Sequence, residues 1–167
     1  MRYENISTLE AFLTEVEKHL LSASNRRKLK YPQTAVQPWN ADDLATENEA
    51  VLAAVAKTAN VYMIFTADCG TVDHKLRYVG KTTKKLARQR IKNHFFKKNE
   101  GTGSKLAEVV AHTCLEGTVE FAFASIEPES LRNYIEEELI HRHPEADWNR
   151  ESKAALRIAA KSVSKKK

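Results

Sequence analysis

RYVGKTTKKLARQRIKNHFF, residues 77–96, joins a short strand pattern to a basic helix through a single glycine. From Lys75 to Lys98 there are ten Lys or Arg and no Asp or Glu. So much positive potential on one compact element calls for a polyanionic partner. Leu76 and Tyr78 read as strand, Gly80 as a turn that a residue with Cβ resists, and Thr82 or Thr83 as the cap of the helix that follows. In that helix Leu86, Arg90 and His94 recur at steps of four, and so do Ala87, Ile91 and Phe95, which sets a polar row beside an apolar one. Arg90 and His94 thereby border a core-facing stripe, where an arginine without a partner is costly. Lys84, Lys85, Arg88 and Lys92 point outward, and for such cations a solvated face is the ordinary reading.

Upstream, residues 61–67 form a β-branched and aromatic run, Asp68-Cys69-Gly70 is a turn signal, and residues 75–79 return, which predicts an antiparallel hairpin. Period two puts Tyr62 and Ile64 on one face, and the pairing can bring Tyr62 close to Tyr78. Downstream come a glycine-containing loop at 99–104, a short helix at 105–114 with Leu106, Val109 and Val110 inward, and a third strand at 118–126. A last helix starts near Glu129 and Ser130 and stops at Pro144. The expected fold class is α+β, a small three-stranded antiparallel sheet flanked by helices.

Two helical patterns precede this core. Ile6, Leu9, Phe12, Leu13, Val16, Leu20 and Leu21 form an apolar row with Ser7 or Thr8 as cap, and residues 42–57 repeat the period with Asp42 as cap. Residues 31–40, YPQTAVQPWN, are an irregular connection anchored by Trp39. The expected organisation is a helical extension at 1–58, a core at 59–150 and a basic tail at 151–167.

Three glutamates compete in the last helix. Angular placement puts Glu137 outermost and leaves Glu136, between Leu139 and Ile140, and Glu138, between Leu131 and Tyr134. The series of Tyr62, Tyr78-Val79-Gly80, Arg90 with His94, Glu136 in an E-x-x-L-I spacing, and Asn149 after Pro144 resembles the GIY-YIG nuclease family over roughly residues 60–150. Val61-Tyr62-Met63 stands where that family has Gly-Ile-Tyr, and Tyr62 takes the tyrosine's place because it alternates correctly along its strand. The family spacing selects Glu136.

This resemblance implies a DNA endonuclease that needs Mg²⁺ or Mn²⁺, with Glu136 as the metal ligand and Arg90 on the scissile phosphate. Tyr62, Tyr78 and His94 would position or deprotonate the attacking water, and which tyrosine is the base stays open. Lys81, Lys84, Lys85, Arg88, Lys92 and Asn149 are expected on the nucleic-acid side, Asn149 tying down the chain beside the site. Phosphodiester hydrolysis accounts for these residue types: it needs a cation on the developing charge, a polarised phosphoryl oxygen and a proton acceptor. The expected substrate is double-stranded DNA, cut with some sequence preference by a self-associating enzyme. Arg26, Arg27, Lys28, Trp39 and the 99–104 loop are candidates for base contacts. The alternatives are a non-catalytic nucleic-acid-binding module, for which Glu136 has no use, and a nonspecific nicking nuclease or toxin.

The 167 residues, 42% hydrophobic and 29% charged with a net charge of +5, suit one soluble globular domain with an extension. No stretch approaches the ~20 apolar residues of a membrane span. No leader pattern is visible, so the cytoplasm is expected. Cys69 and Cys114 lack metal-ligand spacing and are expected as reduced thiols.

Overall fold

The computed structural model describes residues 4–32, 39–97 and 104–149. The basic tail, most of the 99–104 loop and the middle of the 31–40 connection lie outside the described residues.

VYMIFTA, residues 61–67, forms strand β2, buried at all seven positions. Burial of both alternating sets requires cover on both faces. β2 pairs antiparallel with β3 (Lys75–Lys81) on one side and with β4 (Thr118–Ala124) on the other. A fourth strand, β1 (Arg27–Lys28), adds to β4 and gives the order β1-β4-β2-β3. The architecture is the expected α+β one with an extra strand, because two residues carry no periodicity to read. The β2–β3 turn follows its signal: Gly70 has φ 74°, and the Thr71 N–H donates to the Asp68 carbonyl at 3.0 Å.

One face is covered by α1 (Ile6–Leu21) and α6 (Arg132–Arg142), with Leu13, Val16 and Leu20 packed among Val61, Met63, Phe65, Ile135 and Leu139. The other is covered by α2 (Ala41–Glu47), α3 (Glu49–Val55), α4 (Ala87–Phe95) and α5 (Leu106–Thr113). There Leu44, Leu52, Val55, Ile91, Phe95 and Val109 pack around Ile64 and Phe121. Each fully buried side chain of this kind contributes about 1.5–3 kcal/mol. Residues before 59 therefore supply core to both faces. Glu17 of α1 also receives Arg142 at 2.6 Å and His143 at 2.8 Å, which clasps α1 to the end of α6.

Three asparagines hold the irregular segments, each by using both ends of its amide on the N–H and C=O of a single residue. Asn48 does so on Lys30 at 2.9 and 2.9 Å, Asn60 on Ile126 at 2.8 and 2.8 Å, and Asn149 on Val79 at 2.9 and 2.8 Å. A carboxamide held this way reproduces one rung of a strand ladder. At Asn48 this has a cost for the helix: the pattern over 42–57 is broken there into α2 and α3. Asn40, not Asp42, caps α2, its side chain accepting from the N–H groups of Asp42 and Asp43 at 3.0 and 3.3 Å. The α1 N-cap is Asn5 rather than Ser7 or Thr8.

Candidate active site

The two tyrosines reach one place by strand register. Tyr62 lies opposite Gly80, and Tyr78 lies opposite Ile64, so the rings meet diagonally with centroids 6.1 Å apart. Gly80 sits within β3, and its φ is outside the left-handed region, so it is not the turn glycine expected. Space explains it instead. A Cβ there would stand 2.5 Å from Tyr78 Cε1 and 2.7 Å from Tyr62 Cζ.

From the next layer, α4 presents Arg90 and His94. Ala87, Ile91 and Phe95 are fully buried, while Leu86, expected to extend the polar row, is 54% exposed before the helix begins. Neither Thr82 nor Thr83 caps this turn through its side chain; Glu129 takes the Lys84 N–H at 2.6 Å from across the fold. His94 Nε2 lies 2.7 Å from Tyr62 Oη, and Arg90 Nε donates to the same oxygen at 3.4 Å. Arg90 also bonds Tyr78.

Electrostatics follow from burial. Tyr62, with no exposed surface, is pushed well above its ordinary pKa of 10.0 by desolvation, and Tyr78 is raised for the same reason, with Arg90 pulling it back. His94 is held well below 6.5 by burial, then by the positive charges of Arg90 and Lys105. The imidazole is therefore neutral at pH 7.

Among the three glutamates of α6, Glu136 is the one directed at this cluster. Its Oε2 lies 2.7 Å from Lys81 Nζ, and its charge acts on both tyrosines, whereas Glu138 faces Tyr134 and Glu137 is exposed. At 15% exposure the Glu136 side chain is open enough to exchange a partner. The position beside it already accepts a positive charge, and one carboxylate suffices for a hard cation that keeps most of its waters. The donor set thus fits a single divalent ion. No group of three or more His, Cys, Asp or Glu residues placed to hold a metal occurs among the described residues.

Several other cations of the basic segment are engaged with acids. Arg88 forms a two-pronged pair with Glu49 at 2.8 and 2.7 Å, Lys92 meets Asp42 at 3.1 Å, and Lys84 pairs with Glu127. Lys85 is exposed. Arg26 stacks over the Phe65 ring at 3.9 Å, and Trp39 donates to the Phe96 carbonyl at 2.8 Å, so both serve packing; Arg27 and Lys28 are exposed. Asn149 is 4% exposed with its amide used on Val79, beside the Trp148 N–H that donates to the Arg77 carbonyl at 2.9 Å. The segment 146–149 thereby covers the open edge of β3.

Sequence reasoning missed Lys105. It is 8% exposed, its N–H donates to His94 Nδ1 at 3.2 Å, and its ammonium lies 5.0 Å from the Tyr78 ring centroid. One signal existed: a lysine in the N-cap position of α5 opposes the helix dipole, so local helix energetics do not explain it.

The family model described as GIY-YIG catalytic domain matches residues 58–144, which is 87 of the 167 residues. Searches of curated proteins and of solved structures give no match. No helix among the described residues is long and apolar enough to cross a membrane.

Proposed function

The chain belongs to the GIY-YIG family and is a nuclease; from that premise we propose that it is a Mg²⁺- or Mn²⁺-dependent endonuclease hydrolysing phosphodiester bonds in double-stranded DNA with some sequence preference. The observation that carries this reading is the convergence of Tyr62, Tyr78, Arg90, His94 and Glu136 from four elements onto one place. A binding module gains nothing from a carboxylate set among cations that would otherwise meet phosphate.

In the proposed reaction Arg90, already aimed at the tyrosine oxygens, holds the scissile phosphate and the charge that develops on it. Burial keeps both phenols protonated near neutral pH, so a tyrosine takes a proton from the attacking water as its own phenolic proton passes on to solvent. The water oxygen bonds to phosphorus as the bond to the leaving alkoxide breaks. Glu136 would hold the divalent cation, which polarises a phosphoryl oxygen and stabilises the alkoxide. Lys81, released from Glu136, turns to phosphate. Lys84, Arg88 and Lys92 exchange their carboxylates for backbone phosphates, a change made cheap by the small value of exposed ion pairs. Lys85 adds a direct contact, and Asn149 keeps β3 in register beside the DNA path. Residues 1–58 are assigned as an extension, 59–150 as the catalytic unit and 151–167 as a basic tail adding phosphate contacts in the cytoplasm. One site cuts one strand, so a double-strand break calls for self-association on DNA.

The test is supercoiled plasmid incubated with purified protein in Mg²⁺ or in EDTA, beside Glu136→Ala and Glu138→Ala. Cleavage in Mg²⁺ alone, lost in Glu136→Ala and kept in Glu138→Ala, is the expected result. Salt-sensitive binding without cleavage would establish the binding module instead. Random nicks by a monomer would point to the nonspecific nuclease or toxin.

A further inference from the structure

Lys105 stands outside the roles above. It lies just ahead of α5, almost fully buried, and reaches the cluster through two different groups: the amide to His94 Nδ1 and the ammonium to the face of Tyr78. Solvent does not explain a charged side chain at 8% exposure, and such burial needs electrostatic compensation. The aromatic face supplies part of it.

The amide contact decides a proton. A backbone N–H only donates, so His94 Nδ1 must accept, and a neutral imidazole with an accepting Nδ1 carries its hydrogen on Nε2. The 2.7 Å bond then runs from His94 Nε2–H to Tyr62 Oη. With Arg90 donating to the same oxygen, Tyr62 accepts two hydrogen bonds and keeps its own O–H for a third partner. Neither ring nitrogen of His94 is open to a proton from water.

We infer that Lys105 is a positioning residue of the active site, its amide fixing His94 as the Nε2–H donor to Tyr62 and its ammonium serving as a second cation, beside Arg90, against the ring of Tyr78. Among the described residues, the groups that act on His94 and Tyr78 include Tyr62 on β2, Arg90 on α4 and Glu136 on α6. Arg90 and Lys105 oppose protonation of His94, and Glu136 opposes ionisation of the tyrosines. Removing the Lys105 charge therefore acts on both rings, in a direction that the amide alone would not produce. The catalytic part of the inference rests on the nuclease reading; the tautomer does not.

The test has a metal-free arm and an activity arm. In ¹⁵N-histidine NMR of the metal-free wild type, His94 should show a protonated Nε2 and an accepting Nδ1. In Lys105→Met, which keeps the amide, that tautomer should persist while the His94 titration moves up toward the ordinary range. In the activity arm, Lys105→Met should lose about tenfold in plasmid cleavage at neutral pH, with its pH–rate profile displaced to the alkaline side, and Lys105→Arg should recover most of the loss. Lys105→Gln replaces the Met variant where that one fails to fold. An Nδ1–H tautomer in the wild type overturns the inference, and so do an unmoved His94 titration and an unshifted pH profile in the charge-removing variant. A wild type that cuts no DNA counts against the nuclease reading alone, because the NMR arm still decides the place of Lys105.

Discussion

Gly80→Ala should disable the site while leaving most of the fold intact. The added methyl would stand 2.5 Å from Tyr78 Cε1, 2.7 Å from Tyr62 Cζ and 2.8 Å from Tyr62 Oη. Carbon atoms rest at about 3.5–4.0 Å, so the rings must retreat by about 1 Å between them. Tyr62 has little room for this, being fully buried with Oη 2.7 Å from His94 Nε2. Overpacking of this kind costs about 1–3 kcal/mol of stability. The catalytic loss should be larger, since a 1 Å misplacement of a reacting group costs about a hundredfold. Single-turnover nicking of supercoiled plasmid with enzyme in excess reads the rate, and thermal melting and DNA binding read the fold. Gly80→Asn separates this account from a conformational one. Asparagine is tolerated where a left-handed backbone is needed but is larger than alanine, so it should be the worse substitution at Gly80. Gly80→Ala within threefold of wild-type rate, or Gly80→Asn more active than Gly80→Ala, would refute the steric reasoning.

Other outcomes follow from neighbouring contacts. Asn149→Ala removes both bonds to Val79 and leaves a buried N–H at the β3 edge, which should cost about 2 kcal/mol and lower Tm by about 4–8 °C, read by calorimetry; an unchanged Tm would show that the edge is held by the backbone alone. His94 is held neutral by burial, so the unfolded chain binds its proton more readily than the fold does. Stability present above the ordinary value of 6.5 should be lost as pH falls from there toward the folded value, and melts of His94→Gln across that range should show a shallower acid limb than the wild type. Glu49→Ala frees Arg88 for phosphate, so DNA affinity should rise at low salt, whereas Arg88→Ala should reduce the slope of log affinity against log salt by about 1. Equal affinity in wild type and Glu49→Ala would place that face away from the DNA.

The sequence by itself determined the elements whose signals are local. The β2–β3 hairpin, the apolar row of α4, the strand at Thr118–Ala124 and α6 all stand where periodicity and turn chemistry put them, because each is fixed by side chains a few residues apart. The resemblance singled out Tyr62, Tyr78, Arg90, His94 and Glu136 as candidates, since residue type and order suffice to match a family. The rest depended on partners distant in the chain. β1 exists through its pairing with β4, and the break at Asn48 exists because Lys30, 18 residues away, claims its amide. Periodicity left both Glu136 and Glu138 open, and only packing of α6 against β3 brought Glu136 to Lys81. Tertiary structure likewise made Gly80 a matter of space rather than of turn geometry, and paired Arg88 and Lys92 with α2 and α3 acids. It also set the place of Lys105. No periodicity encodes which atom a buried ammonium or amide will meet, because that contact is decided by the approach of α5 to α4 and of α4 to the sheet.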